Sequence, residues 1–159
     1  MTERLTSRNI YRLPFGENLN LNPRPAPYHK ERIGMEFALD FPMKEGTPIL
    51  AAARGTVLQV IDRYDAGGPD KSLPENKVNI KHKNEEYTQY VHLKKGIIVK
   101  EGNLVTQGQI IGYSGLTGYT TYPHLHFAVR IKEKDSQWKT IVPRFKIGGK
   151  ISEILSPDL

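Results

Sequence analysis

Apolar and polar residues alternate in short runs along the chain, and glycine or proline separates most of these runs. In the segment 35–41 the odd-numbered positions are all apolar, and the even-numbered positions include two carboxylates, Glu36 and Asp40. This period of two predicts a half-buried strand whose second face carries both acids. The same pattern predicts further short strands over 49–53, 56–61, 78–82, 87–93, 97–99, 104–105, 110–112 and 138–145. No segment predicts a substantial helix, so we expect an all-β fold.

The most distinctive predicted strand contains two histidines, His124 and His126, in the run 123–131. Residues two apart on a strand point to the same face, so these imidazoles would stand about 7 Å apart at the backbone. Leu125 and Phe127 would then face the core. A buried structural pair is the ordinary explanation for such histidines. Their position after a loop rich in glycine, threonine and tyrosine favours a site for one metal ion and its bound water.

Composition limits the chemistry available to such a site. The chain has 159 residues, 38% of them apolar, which is enough for one domain with a core of its own. Cysteine is absent, so a disulfide framework and a thiolate metal site are both excluded. The net charge of +6 suits an anionic partner such as a bacterial wall polymer. The basic residues form no stripe with interleaved aromatics, and we therefore expect no nucleic-acid binding.

Proline spacing and loop composition suggest three regions. Residues 1–28 are polar and interrupted by prolines, which predicts an irregular N-terminal arm packed on the domain and anchored by Leu13 and Phe15. A β domain follows over 29–147. The C-terminal tail, 148–159, could include one helical turn at 152–155. The N-terminus shows no signal-peptide pattern, and no apolar run reaches membrane-spanning length. The oligomeric state and the export route are not predicted.

A zinc site without cysteine must use imidazole and carboxylate ligands, and a hydrolytic site leaves one position open for water. Asp40, on its carboxylate-bearing strand face, and His126 are the first two ligands that we expect. Zinc lowers the pKa of bound water to about 7 and so provides a nucleophile at neutral pH. His92 and His124 would then act as base and acid, or hold the developing oxyanion.

Several motifs occur in an order that resembles one known family. The segments are Asp40 with 44–57, Tyr90–Leu93, 105–112, 114–118 and Pro123–Phe127. Together they cover roughly residues 29–131 and resemble the lysostaphin-type (LytM-like) zinc endopeptidases of bacterial cell walls. The resemblance implies a compact antiparallel β-sheet groove that holds Zn²⁺ and cuts the peptides that crosslink peptidoglycan. It also implies a location in the cell envelope or outside the cell.

The resemblance assigns roles residue by residue. Asp40 and His126 would be zinc ligands, and His92 and His124 the catalytic histidines. His82 matches a strand position that is often histidine in relatives, and we expect a structural role for it. The loops 65–76 and 115–122 would form walls of the groove, which Tyr113, Tyr119 and Tyr122 would line.

The chain departs from the family pattern at one ligand. The usual first ligand is a histidine four residues before the aspartate, and Glu36 stands there. Glu36 could bind zinc itself from the strand face it shares with Asp40, His29 could reach in from the preceding loop, or the site could be incomplete. We favour His29, because a dead site has little need of the later histidines and a second carboxylate would weaken the activation of water.

The function expected from the sequence is therefore that of a zinc metallo-endopeptidase cleaving peptide crosslinks of peptidoglycan. The alternative is a catalytically inactive domain of the same fold that binds wall peptide or regulates a partner hydrolase. The sequence does not identify the scissile bond.

Overall fold

The structure is a computed structural model that describes residues 4–159, and it confirms the all-β prediction. The strands are β1 (Thr6–Tyr11), β2 (Leu39–Pro42), β3 (Pro48–Leu50), β4 (Gly55–Ile61), β5 (Gly67–Gly68), β6 (Lys77–Lys81), β7 (Tyr87–Val91), β8 (Leu104–Val105), β9 (Ile110–Tyr113), β10 (Gly118–Tyr119), β11 (His124–Lys132), β12 (Trp138–Ile147) and β13 (Lys150–Glu153). Across these residues the helical elements are 3-10 turns at Glu17–Leu19, Pro27–His29 and Lys83–Glu85. None of the described helices is long and apolar enough to cross a membrane.

One large sheet runs in the order β1-β12-β11-β7-β6-β4-β8, with β13 beside β12 and β2 beside β11. Its pairings are antiparallel except for β1 with β12. The strand β11 changes partner along its length. Its first half pairs with β2, its second half pairs with β12, and β7 runs along its other side. The histidine pair therefore lies between β2 and the end of β7.

The core lies behind the face that carries the histidines. Leu125, Phe127 and Val129 of β11 are fully buried, and the Phe127 ring meets the Tyr90 ring edge to face with centroids 5.4 Å apart. Burying each such side chain contributes about 1.5–3 kcal/mol, which fixes the register of β11 and hence the direction of its histidines. Leu13 and Phe15 are buried in this core, as predicted.

The N-terminal arm is not irregular throughout, because residues 6–11 form β1 and pair with β12. A buried carboxylate, Glu86, holds this strand in place. It accepts hydrogen bonds from the backbone nitrogens of Arg8 (2.6 Å) and Asn9 (3.1 Å) and from the hydroxyl of Tyr11 (2.9 Å). The buried positions of β1 include Ser7 and Asn9, so hydrophobic periodicity could not reveal the strand.

The strand predicted over 35–41 is shorter than expected. Residues 35–38 form a turn in which the Ala38 nitrogen donates to the Met35 carbonyl at 3.0 Å. Gly34, at a φ of 79°, lets the chain reverse before this turn, and the Phe37 nitrogen donates to Thr140 Oγ1 at 2.9 Å. Glu36 therefore lies on a turn and does not share a strand face with Asp40.

Two smaller predictions were also wrong. The tail forms strand β13 instead of a helical turn, because Gly148 and Gly149, both at positive φ, close a hairpin with β12. Residues 97–99 do not form a strand, although the Ile98 nitrogen donates to the Ile111 carbonyl at 3.2 Å.

Candidate metal centre

Three elements bring a histidine, an aspartate and a second histidine together. Asp40 on β2 lies opposite His126 on β11, and the turn Pro27–His29 places His29 beside both. One ligand atom from each residue lies within 4.8 Å of the other two. The distance from Asp40 Oδ1 to His126 Nδ1 is 3.1 Å, and that to His29 Nε2 is 3.4 Å. All three side chains are buried.

A hydrogen bond to the Ala38 carbonyl fixes the ring orientation of His29. Its Nδ1 lies 3.1 Å from the Ala38 carbonyl oxygen. A carbonyl can only accept, so Nδ1 carries the proton in the neutral ring and Nε2 keeps its lone pair. Within the described part of the chain, this buried Nε2 has no hydrogen-bond partner. A histidine that donates one nitrogen to a carbonyl and presents the other is arranged as metal ligands usually are.

His92 and His124 stand next to this cluster, with ring centroids 4.6 Å apart. His92 Nδ1 donates to the Thr117 carbonyl at 2.7 Å, and His124 Nδ1 donates to the Tyr122 carbonyl at 2.9 Å. Both rings therefore keep an unprotonated Nε2 when neutral. His124 Nε2 lies 3.7 Å from Asp40 Oδ1.

The backbone at His92 is strained in a way that serves the site. Its φ is 67°, in the left-handed region that residues other than glycine seldom occupy. Consecutive residues on a regular strand point to opposite faces. Val91 and His92 nevertheless both line the same cleft, because the chain turns at this residue. Such strain persists where the surrounding structure enforces it, often at functional sites.

Burial and neighbouring charges set the protonation of the cluster. Burial would raise the pKa of Asp40, but the adjacent His126 and His29 outweigh it and hold that pKa well below its usual range. Burial, followed by the nearby His124 and His126, lowers the pKa of His92 to about 3. Burial also lowers the pKa of His126, against the opposing effect of Asp40. At neutral pH, His92 and His126 are therefore uncharged beside an ionised Asp40.

This arrangement fits a divalent cation. Two unprotonated nitrogens, His29 Nε2 and His124 Nε2, face the same carboxylate oxygen, and neither has a hydrogen-bond partner among residues 4–159. Buried polar atoms without partners are costly. A cation bound beside Asp40 would satisfy the lone pair of His29 Nε2, and His124 Nε2 would remain free to exchange a proton. Imidazole and carboxylate donors are ligands that zinc accepts readily.

Tyr28 is a polar contact of the cluster that the sequence analysis missed. Its hydroxyl donates to Asp40 Oδ2 at 3.1 Å, and burial, followed by the charge of Asp40, raises its pKa. No motif points to this residue. Its place directly before His29 is the one signal in the sequence that could have suggested it.

The predicted tyrosines have different positions. Tyr119 lines the cleft. Tyr122 stacks on His124 with centroids 4.5 Å apart, and the Arg24 guanidinium lies 4.9 Å from the Tyr122 ring centre. Tyr113 is exposed on β9 and does not line the cleft, because β9 pairs with β3 away from it. The expectation was therefore wrong for Tyr113, and Tyr122 does not line this cleft either.

His82 lies outside the cluster and is fully satisfied. Its Nδ1 is 2.7 Å from the Arg54 carbonyl and its Nε2 is 2.7 Å from Thr88 Oγ1. The ring is buried against Tyr11, with centroids 5.5 Å apart. These contacts agree with the structural role expected for it.

A cleft of about 240 Å³ opens beside His92 and His126. Strands β7, β11 and β12 form its floor. The turn at 32–35 and the loop at 71–75 contribute its walls, so part of the 65–76 loop lies where it was expected. A two-stranded pairing of β5 with β10 ties this loop to the one that precedes the histidine pair. Gly67 is required there, because a Cβ atom would stand 1.9 Å from the Leu116 carbonyl oxygen.

Comparison with known proteins agrees with this description. Residues 34–138 match the model of peptidase family M23. The chain is 37% identical over 113 residues to the peptidoglycan DD-endopeptidase ShyA of Vibrio cholerae, a match that covers 71% of this chain and 24% of that protein. The curated relatives are longer proteins, of which the chain matches 18–24% of the length.

Two solved structures show the same fold. The catalytic domain of the antimicrobial peptidase lysostaphin from Staphylococcus simulans superposes with a TM-score of 0.53 at 31% identity, covering 76% of this chain and 84% of that one. A zinc containing peptidase from Vibrio cholerae gives a TM-score of 0.51 at 33% identity, covering 79% of this chain and 35% of that one.

Proposed function

The chain belongs to peptidase family M23, the lysostaphin-type family, and on this premise we propose that it is a zinc metallo-endopeptidase that cleaves peptide crosslinks of bacterial peptidoglycan. Relatives named as endopeptidases support a hydrolase. The substrate would be a wall peptide, and the protein would act in the cell envelope or outside the cell.

One observation carries the proposal. His29 Nε2, Asp40 Oδ1 and His126 Nδ1 converge in a buried cluster, and the His29 nitrogen has no hydrogen-bond partner within residues 4–159. We assign these three residues as the zinc ligands. Glu36 is not among them, because the turn at 35–38 carries it away from the strand face of Asp40.

The bound zinc would supply a water molecule of lowered pKa, close to neutrality. His92 would serve as the proton acceptor through its Nε2, since its Nδ1 donates to the Thr117 carbonyl. His124 would act as the acid, passing to the leaving amine the proton that the site takes up at His92. The Tyr122 carbonyl and the stacked Tyr122 ring hold its imidazole in place.

Metal content and turnover distinguish the proposed enzyme from the catalytically inactive alternative. The purified chain is expected to contain one equivalent of zinc by mass spectrometry and to release products from crosslinked muropeptides, and a chelator should abolish that release. A His92→Ala variant that keeps its zinc but loses cleavage would support the catalytic role of His92. Zinc-free protein that binds muropeptide without cutting it would favour the inactive domain.

The third ligand is tested by a matched pair of variants. His29→Ala is expected to lose stoichiometric zinc, whereas Glu36→Gln is expected to keep it. A Glu36→Gln protein without zinc, beside a His29→Ala protein with normal zinc, would overturn the assignment.

A further inference from the structure

The floor of the cleft continues from the metal cluster to a half-buried arginine, Arg130. His126, Ala128 and Arg130 alternate along β11 and line the same cleft. Their neighbours on β12, Thr140 and Trp138, line it as well. At about 3.3 Å per residue, the backbone of Arg130 lies on the order of 13 Å from that of His126. An extended substrate passing the cluster could therefore reach Arg130.

Arg130 has no acidic partner in the described part of the chain. Of the ion pairs found there, none includes its guanidinium. Its Nε is buried and has no hydrogen-bond partner within the same residues. Burial lowers the pKa of this guanidinium, although an arginine keeps its charge in proteins. A partly desolvated cation without a counter-ion is an unusual feature for a cleft floor.

The Trp138 ring holds this cation in a fixed position. The Arg130 guanidinium lies 4.6 Å from the centre of the ring. The Tyr87 ring packs edge to face against the Trp138 ring, with centroids 4.7 Å apart. A guanidinium stacked on an aromatic face is already oriented and loses little freedom when it binds a ligand.

The other charged groups of the cleft do not neutralise Arg130. Arg32 and Lys71 add two further cations to the lining. The acid that lines the cleft, Glu75, lies 4.0 Å from Lys77. Within the residues that the structure describes, the cleft lining therefore carries three cations, Arg32, Lys71 and Arg130, against the one acid Glu75, a balance that favours an anionic ligand.

We propose that Arg130 forms a carboxylate subsite, so that the peptides accepted by this chain carry a free carboxylate on the order of 10 Å from the bond presented to the metal cluster. The inference deepens the proposed function and rests on it for the nature of the ligand. A guanidinium binds a carboxylate through two parallel hydrogen bonds. Stem peptides that contain diaminopimelate carry side-chain and α-carboxylates, whereas a bridge made of glycine alone carries none along its length. The subsite therefore selects acidic stem peptides over glycine bridges.

The single tryptophan of the chain, Trp138, provides a direct readout. The full chain is titrated with the stem peptide L-Ala-γ-D-Glu-diaminopimelate and with the same peptide amidated on all of its carboxyl groups, and the Trp138 fluorescence is followed. We expect the free acid to bind at least about tenfold more tightly than the amide, as a charge-assisted hydrogen bond allows. Equal affinity for the two peptides would overturn the proposal.

Two substitutions of Arg130 test whether this residue causes the preference for the free acid. Arg130→Gln is expected to abolish the preference for the free acid, and Arg130→Lys to keep part of it. Lys132→Gln is the matched control, because Lys132 also lies near the Trp138 ring, at 5.7 Å, but does not line this cleft. The proposal fails if Arg130→Gln retains the preference or if Lys132→Gln removes it to the same extent.

This titration requires no cleavage, so the two proposals can fail separately. A chain that binds the free acid through Arg130 but never cuts a wall peptide would contradict only the proposed function. A chain that cuts pentaglycine as well as acidic peptides, with no dependence on Arg130, would contradict only the carboxylate subsite.

Discussion

The hydroxyl of Tyr28 offers a quantitative test of the metal centre. Tyr28→Phe removes the hydrogen bond to Asp40 Oδ2, for which the Tyr28 hydroxyl is the single donor among residues 4–159. The phenyl ring is kept, so its edge contact with the His29 ring, at 4.4 Å between centroids, should persist. The change therefore isolates the orientation of Asp40 from the packing of the arm.

The expected effect of Tyr28→Phe on zinc affinity follows from the negative charge of Asp40, which accepts the hydrogen bond. A hydrogen bond to an ionised group contributes about 1.5–3 kcal/mol, and outer partners of metal ligands typically affect metal affinity about 10–100-fold. We therefore expect Tyr28→Phe to weaken zinc binding about 10–100-fold in competition with a chromogenic chelator.

The control is Tyr119→Phe. Tyr119 also lines the cleft and meets the Tyr28 ring at 5.9 Å, but its hydroxyl makes no hydrogen bond to Asp40 in the structure. This variant should bind zinc as the unmodified chain does. If Tyr28→Phe also binds zinc with unchanged affinity, Asp40 is not oriented by Tyr28 and the reasoning is refuted.

Two further predictions concern stability. Glu86→Ala should lower the unfolding free energy by about 2–4 kcal/mol in urea denaturation, because three donors of β1 lose their acceptor. The control is Glu85→Ala, which loses an exposed pair with Lys81 at 3.5 Å and an exposed hydrogen bond from the Tyr87 hydroxyl at 3.4 Å and should change the unfolding free energy by under about 1 kcal/mol. Equal effects of the two variants would contradict the role of Glu86. Burial lowers the pKa of His82, so the unfolded chain binds its proton first, and the stability from the neutral ring is complete above about pH 6.5 and is lost as the pH falls through the lowered value. The drop in unfolding free energy between pH 7.5 and pH 5 should therefore be smaller in His82→Gln, and an identical drop would count against this account.

The sequence predicted that Asp40 and the histidine pair come together, because alternation along one strand and the order of the motifs both indicate it. Alternation along 123–131 gave the common face of His124 and His126, and the burial of Leu125 and Phe127 enforces that face. The opposition of Asp40 and His126 follows from strand pairing that the ordered motifs implied. Assignment of these residues as ligands and catalysts is our proposal, supported by the convergence of their side chains.

Features that depend on distant parts of the chain escaped the sequence. Residues 35–38 alternate as a strand should, but a contact with Thr140, more than a hundred residues away, and a reversal at Gly34 turn them instead. The strand β1 buries polar residues against Glu86, so its pattern carries no hydrophobic signal. Tyr28 and Arg130 gained their significance from what they contact, or fail to contact, in the folded chain.

A zinc-bound crystal structure, with the metal identified by anomalous scattering, tests the central claim most directly. We predict one zinc ion bound by His29 Nε2 and His126 Nδ1 at about 2.0–2.1 Å and by an Asp40 oxygen at about 2.0–2.2 Å. A zinc ion bound without His29, or with Glu36 in its place, would contradict the ligand set. Crystals grown with excess zinc that show no metal between Asp40 and His126 would contradict the enzyme itself.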